Sequence, residues 1–340
     1  MRPIQNPPNP FTSYDVRYFE DVPHETKLEI YEDATRNILA KNDSPDIGFR
    51  WSLNPYRGCT HACAYCYARP SHEYLGFGAG TDFEMKIVVK KNAPELLRQA
   101  FLKKSWKGEF IMLSGDTDCY QPLEASYQLT RRVLEVCLEF GNPIGIVTKS
   151  FLIVRDVELL EKLHERTHLS ISISIPILDE KIARAVEPGA ASVAKRFEAM
   201  KILAEAGLDV RLNVAPIIPG LNDSDIPVLL KRAKAAGARR AFPILLRLPG
   251  SVKDVFLTRL QKDFPLAYEK IVGRIRQVRD GKLNNTQFGK SFEGTGQYWE
   301  NIEKMFEVQA AKLGLNRRTP KPDRPSFRRP SAQQEFQLSA

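Results

Sequence analysis

The chain has 340 residues, of which 43% are apolar, and a formal net charge of +9. That is enough chain to build a core without staples, as one large domain or one domain with appendages. The composition excludes a transmembrane helix, since no apolar run approaches the ~18 residues a span needs, and five cysteines are too few for a disulfide framework at this length.

Residues 1–50 open with Met1-Arg-Pro-Ile-Gln-Asn-Pro-Pro-Asn-Pro, which lacks the apolar h-region of a signal peptide. The expected setting is therefore cytoplasmic, a reducing compartment that keeps thiols free. We read 1–50 as an N-terminal extension packed on the main domain. From 51 to 250, apolar runs alternate with amphipathic stretches. A strand is expected before the cysteine-rich loop, then strands at Glu109–Leu113, Pro143–Thr148, Leu169–Ile175, Val210–Pro216 and Arg240–Leu248. Between them the pattern predicts helices over Leu123–Phe140, Val157–His164, Ser192–Ala206 (closed by Gly207) and Ile226–Ala236. Strand–helix alternation argues for βα units on a parallel sheet, and six units fit a partial (β/α)6 barrel of TIM type. Ser170-Ile-Ser-Ile-Ser-Ile has period 2, with Ile expected to face the helices and Ser the barrel interior. Residues 251–315 turn helical, at Asp254–Phe264, Leu266–Arg279 and Tyr298–Leu313. Residues 316–340 form a basic, Pro-rich tail whose six basic and two acidic residues carry nearly half the net excess. Such a tail is expected to be disordered, either as a solvated arm or as one that reaches for phosphates.

The loop Asn54-Pro-Tyr-Arg-Gly-Cys-Thr-His-Ala-Cys-Ala-Tyr-Cys-Tyr-Ala-Arg-Pro carries Cys59, Cys63 and Cys66 at C-x3-C-x2-C spacing. Three thiolates are one short of the four that saturate a [4Fe–4S] cluster. One iron is left open, and an open metal position is where chemistry happens. A zinc site with His61 as fourth ligand is an alternative that requires the chain to fold back sharply.

The motif, with Tyr65 before the last cysteine, resembles the signature of the radical S-adenosylmethionine (SAM) enzymes. The resemblance implies a half-barrel fold, a [4Fe–4S] cluster, and SAM chelated by the open iron and cleaved to methionine and a 5′-deoxyadenosyl radical. It also implies an electron donor of flavodoxin or ferredoxin type. Chemistry in parallel barrels gathers at the C-terminal strand ends. There, Ser114, Gly115 and Asp116 stand where the family meets the SAM ammonium, although S-G-D is also ordinary turn chemistry. Lys149 is placed to neutralise the SAM carboxylate, with Ser172 and Ser174 as hydrogen-bond partners. Ile217 is expected to pack on the adenine, Asn213 to point inward, and Arg196 either to meet a carboxylate or to cap the outside of a helix.

Within that superfamily, Asn54-Pro-Tyr-Arg-Gly-Cys, Cys66-Tyr-Ala-Arg-Pro, Thr117-Asp118…Tyr120-Gln-Pro-Leu-Glu124, Val147-Thr-Lys, Glu187-Pro and Pro216-Ile-Ile-Pro-Gly-Leu-Asn-Asp resemble the spore photoproduct lyase-like, or DNA-repair-photolyase-like, subgroup. The resemblance implies a damaged nucleic acid as substrate. One departure is plain. The subgroup's lyase carries a hydrogen-donor cysteine near the end of the second strand, where this chain has Ile111-Met112-Leu113. Cys119 is the replacement donor if its loop turns inward, a lone Cys being otherwise a small buried hydrophobe; Tyr120 and Tyr67 are placed to relay a radical, to stack on a base, or simply to pack at the barrel mouth. Two further readings stay open: radical chemistry on a peptide or small molecule, and a non-catalytic metal- or cluster-bearing nucleic-acid binding module. The sequence gives no oligomeric state.

Overall fold

The stretch Leu169–Ser174 (LSISIS) is buried along its whole length and forms the central strand of the molecule. A computed structural model describes residues 6–11, 27–285, 287, 289–317 and 326–330. In chain order its strands are β1 (Glu29–Glu32), β2 (Leu39–Lys41), β3 (Trp51–Leu53), β4 (Tyr56–Arg57), β5 (Lys86–Val89), β6 (Ile111–Leu113), β7 (Ile144–Thr148), β8 (Leu169–Ser174), β9 (Val210–Ile217) and β10 (Arg240–Leu245). The helices are α1 (Pro70–Glu73), α2 (Thr81–Met85), α3 (Ala93–Leu102), α4 (Glu124–Tyr127), α5 (Leu129–Phe140), α6 (Val157–Arg166), α7 (Glu180–Val186), α8 (Val193–Glu205), α9 (Ile226–Ala235), α10 (Val252–Asp263), α11 (Tyr268–Gln277) and α12 (Gly296–Lys312).

The main sheet runs β10-β9-β8-β7-β6-β3-β2. Its six strands from β3 to β10 are parallel, and β2 is antiparallel to β3. This is the expected (β/α)6 half-barrel, open between its outer strands. Register explains the Ser/Ile alternation. Ile146, Ile171 and Val210 align on the face covered by α6 and α8, and Ile171 is fully buried there. Ser172 and Ser174 align with Arg211 and Asn213 on the opposite face, which lines the interior. The helix starts are capped by their own sequence: Asp179 accepts from the Lys181 and Ile182 amides at α7, and Ser192 from the Lys195 amide at α8.

Several expectations change. The helix predicted over Leu123–Phe140 is two helices, broken at Gln128, whose φ is +51°. The Glu124 carboxylate turns back to accept from the Thr130 and Arg131 amides, at 3.0 and 3.3 Å, and so caps a new helix start. A second sheet, β1-β5-β4, stands beside the barrel, and the N-terminal extension joins both sheets through β1 and β2. Its ladders are too short to leave a period in the sequence. At the other edge, α12 packs on α9 and β10. The Asn316 amide pairs with both the N–H and the C=O of Ala241, each at 2.9 Å, as a neighbouring strand would.

The tail also departs from its composition. Residues 326–330 are docked under the barrel. The Phe327 ring packs on Phe101 and Phe140, with centroids at 5.7 and 6.1 Å, and Arg329 donates to the carbonyls of Phe101, Lys103 and Trp106 at 2.7–3.1 Å. A Cβ at Gly108 would lie 2.4 Å from the Phe327 Cβ, so that glycine makes room for the ring. The rest of the expected disordered tail (318–325 and 331–340) lies outside the described residues. No helix among the described residues is long and apolar enough to cross a membrane. Because Phe327 is half-buried, Phe327→Ala is expected to cost about 1–3 kcal/mol, at or below the low end for a core aromatic. A shifted urea midpoint with unchanged slope is the check; an unchanged midpoint would show that the docked segment adds nothing.

Candidate active site

The chain leaves β3 through Asn54 and Pro55, crosses β4, and turns into the cysteine loop. The turn depends on Gly58: its φ is +74°, and a Cβ there would meet the Phe83 carbonyl at 2.9 Å. Cys59 donates its amide to that carbonyl at 2.9 Å. Gln121, fully buried, pins the loop from the β6 side, accepting from the Thr60 amide at 3.1 Å and donating to the Gly58 carbonyl at 3.2 Å. At Gly189 a Cβ would lie 2.0 Å from the Thr60 carbonyl oxygen, so the Glu187–Ala190 turn clamps the loop from above as only a glycine permits.

Two guanidiniums hold the loop from beneath. Arg69 donates to the Cys63 carbonyl at 2.8 and 3.1 Å and to Ala79 and Gly80, and Arg259 of α10 donates to the Ala62 carbonyl at 2.6 Å. Glu84 lies between them, 2.5 Å from Arg69 and 2.6 Å from Arg259. All three side chains are buried. None was selected from the sequence: Arg259 lies almost two hundred residues from its carbonyl, and no spacing rule links them.

The thiols of Cys59 and Cys63 are buried and that of Cys66 nearly so. Burial pushes all three upward, Cys59 well above the usual thiol range and Cys63 to about 12 despite the Lys149 ammonium nearby. Among the described residues, no three His, Cys, Asp or Glu side chains converge to hold a single metal ion. His61 is turned away, its Nδ1 3.3 Å from Asp118 Oδ2. That arrangement is not a preformed zinc site. An all-thiol donor set standing apart on one loop instead fits a cluster whose irons each take one thiolate.

The expected site residues divide into two groups. Tyr65, Asp116 and Lys149 gather at the loop. Lys149 Nζ lies 5.7 Å over the Tyr65 ring, and its backbone amide donates to Asp118 at 2.8 Å. The Tyr65 hydroxyl donates to Glu187. Asp116 receives the Ser71 hydroxyl at 3.1 Å, and burial raises its carboxyl. Ser172, Ser174 and Asn213 line the interior, each less than a tenth exposed. Ser114 and Gly115 are at the mouth but committed: the Ser114 hydroxyl accepts from the Cys119 amide at 2.9 Å, and the Gly115 carbonyl from the Tyr67 hydroxyl at 2.8 Å.

Four of the expected site residues are buried among other side chains. Cys119 is fully buried in the core, its backbone fixed by the Ser114 and Thr130 hydroxyls, and does not stand exposed at the mouth. Tyr120 is buried too, and its hydroxyl points to Asp156 at 3.1 Å, behind the barrel, where Arg131 and Arg155 meet the same carboxylate. Ile217 is fully buried and offers no face to an adenine. Arg196 does not cap a helix exterior; it meets a carboxylate, that of Glu187 at 2.6 Å, and is bonded to the Ser174 and Ala191 carbonyls.

Asp118 is the residue most underrated by its sequence. Burial alone would raise its carboxyl, but His61, the Lys149 amide and the Thr148 hydroxyl (2.7 Å) outweigh it and hold the group down at about 2. It thereby ties the first, second and third barrel strand ends together. The only sequence signal was its place beside Thr117.

An open α/β half-barrel with a three-thiol loop at the C-terminal ends of its strands defines the class. The chain belongs to the radical SAM superfamily, whose family model matches residues 53–233. It is 37% identical over 234 residues to an uncharacterised protein of Mycobacterium tuberculosis, covering 68% of each chain. A radical SAM Nα-GlyT isomerase of Pseudomonas phage M6 is 26% identical over 69% of this chain and 47% of its own length. Among solved structures, spore photoproduct lyase with bound AdoMet and dinucleoside spore photoproduct has the same fold, with a TM-score of 0.57 at 16% identity over 88% of this chain and 86% of its own. Membership implies SAM and an iron–sulfur cluster, and a reductant to supply them with electrons.

Two outcomes follow from this geometry. Glu84→Gln leaves two buried guanidiniums without their carboxylate and is expected to cost about 3–5 kcal/mol. Denaturation of the apoprotein reads this directly, and iron content after reconstitution should fall with it. Asp118 has its folded value below the ordinary 3.8, so its stabilisation is present above about pH 4 and is lost as pH falls toward about 2. Asp118→Asn should remove on the order of 2 kcal/mol at neutral pH and flatten that acid limb; parallel stability–pH curves for variant and wild type would contradict it.

Proposed function

We propose that this chain is a radical SAM enzyme that holds a [4Fe–4S] cluster on Cys59, Cys63 and Cys66 and abstracts hydrogen from a nucleic-acid substrate. The observation that carries the chemistry is the thiol count at the mouth: three on one loop, with Cys119 and Cys137 both buried in the core. When bound, the cluster and SAM supply the electron and the 5′-deoxyadenosyl radical.

The protein's own residues bind, orient and exclude water. Asp116 offers an acceptor for the SAM ammonium beside Cys66. Lys149 offers a compact cation for its carboxylate, with the Ser172, Ser174 and Asn213 polar groups on the interior face below. Tyr65 is held against Glu187 and Arg196, so the middle of the cysteine loop cannot swing. The buried loop keeps water from the thiols. A flavodoxin- or ferredoxin-type partner is the expected electron donor.

The substrate class rests on two supports. Spore photoproduct lyase, which shares the fold, was solved with a dinucleoside lesion bound. The mouth also presents the half-exposed Tyr67 ring and the partly buried Lys149 cation. The lyase subtype has less behind it, because beyond the three cysteines assigned to the cluster no cysteine stands exposed at the mouth to return a hydrogen atom to a product radical. Anaerobic reconstitution with iron and sulfide, dithionite reduction and SAM should yield 5′-deoxyadenosine from wild type and none from Cys63→Ala. Lys149→Ala should raise the KM for SAM about tenfold or more, in line with one lost charge-assisted contact. Damaged DNA should stimulate the yield. Metal-dependent DNA binding with no SAM cleavage under any condition would leave the binding-module reading in its place.

A further inference from the structure

Just beyond the end of β10, two arginines stand at the mouth of the barrel without an ion-pair partner among the described residues. Arg279 is almost fully buried and donates to the carbonyls of Glu293 (2.7 Å), Leu246 (2.8 Å) and Ser291 (3.1 Å), which fastens the 291–293 segment to the strand end. Burial and then repulsion from Arg247 push it down to about 10, with no carboxylate offsetting them. Arg247 rests on that fastened segment: its guanidinium lies 4.6 Å over the Phe292 ring. Its Nε is shut off from solvent and makes no hydrogen bond. The carboxylate whose field reaches Arg247 is Asp46, which already accepts the Ser291 hydroxyl at 2.8 Å and backbone N–H groups of Gly289 and Ser291. Within reach of the Arg247 charge stands Tyr67, one residue past Cys66 and half-exposed; burial pushes its phenol up, and Arg247 opposes that shift.

We propose that Arg247, seated on Phe292, anchors a phosphodiester of a single-stranded nucleic-acid substrate, with Tyr67 as the stacking surface for the adjoining base. This rests on the radical SAM reading above and names the contact that orients its substrate. Three features favour a phosphodiester. Around Arg247 itself stand a second cation, Arg279, and one committed carboxylate, Asp46, so that end of the site is left cationic, while Asp116 stands by Tyr67. A guanidinium held flat on a ring presents a rigid fork that matches phosphate oxygens. An exposed aromatic beside a cationic anchor is the pairing by which single strands are held. Arg279 contributes field and a fixed platform, while Arg247 makes the contact.

The test uses reconstituted holoprotein with SAM and two fluorescein-labelled hexathymidylates, one with ordinary phosphodiesters and one with neutral methylphosphonate linkages. Wild type should bind the charged oligomer at least tenfold more tightly. Arg247→Gln should lose about tenfold on the charged oligomer and nothing on the neutral one, and Arg247→Lys should recover part of the loss. Tyr67→Leu should weaken both equally. Arg247→Gln that binds both oligomers as wild type does, or loses both in equal measure, overturns the assignment. So does an Arg247-dependent preference for a free-acid hexapeptide over its amide with none between the oligomers. Wild-type 5′-deoxyadenosine formation is measured in parallel. Its absence sinks the radical SAM reading, while the oligomer comparison still decides on Arg247.

Discussion

One carboxylate between two guanidiniums holds this molecule's business end in shape. Glu84 sits on α2, Arg69 beside the last cysteine of the loop, and Arg259 on α10 near the other end of the chain. Desolvating three charges is expensive, and the arrangement survives because Arg69 donates through all three of its nitrogens and Arg259 through both terminal ones. Those acceptors include the Ala62 and Cys63 carbonyls. The consequence is that the helical C-terminal region is not an accessory. It completes the support of the cysteine loop, and the half-barrel, the second sheet and α10 stand or fall together.

The mouth also shows how one loop assigns opposite roles to similar groups. Asp116 and Asp118 are two residues apart. Asp118 collects a histidine, a hydroxyl and a backbone amide and is held strongly anionic, whereas burial dominates at Asp116 and pushes it the other way. The first is a structural tie between strand ends. The second carries one side-chain hydrogen bond, from the Ser71 hydroxyl. The same division separates the arginines: Arg69, Arg196, Arg259 and Arg279 are spent on carbonyls and carboxylates, and Arg247 is not.

Much of this was legible in the sequence, and the limits have physical causes. The Ser/Ile alternation of β8 announced both its burial and the face that turns inward, because period 2 maps directly onto a strand. The cysteine spacing announced the loop. Cys119 and Tyr120 misled because a residue's direction at a strand end is set by the turn that follows, and Ser114, with φ of +70°, redirects this one. Ile217, chosen on the resemblance of its segment alone, is fully buried, because resemblance along a strand end does not say which side chain turns to the interior. Arg259 was invisible because a contact between a guanidinium and a distant carbonyl leaves no periodic trace. The docking of residues 326–330 was hidden behind a composition that reads as solvated, since one aromatic and one arginine outweigh a dozen polar neighbours only when a pocket waits for them.

A half-barrel leaves two strands without a neighbour, and an unpaired strand is a template on which another chain can add. Here β10 has its rung at Ala241 taken by the amide of Asn316, which offers one donor and one acceptor in the positions a strand would supply. A single side chain thus closes that rung. It caps the ladder with groups that cannot propagate it, so the open architecture needed for access at the mouth does not present that rung to a second copy for growth into a continuous sheet.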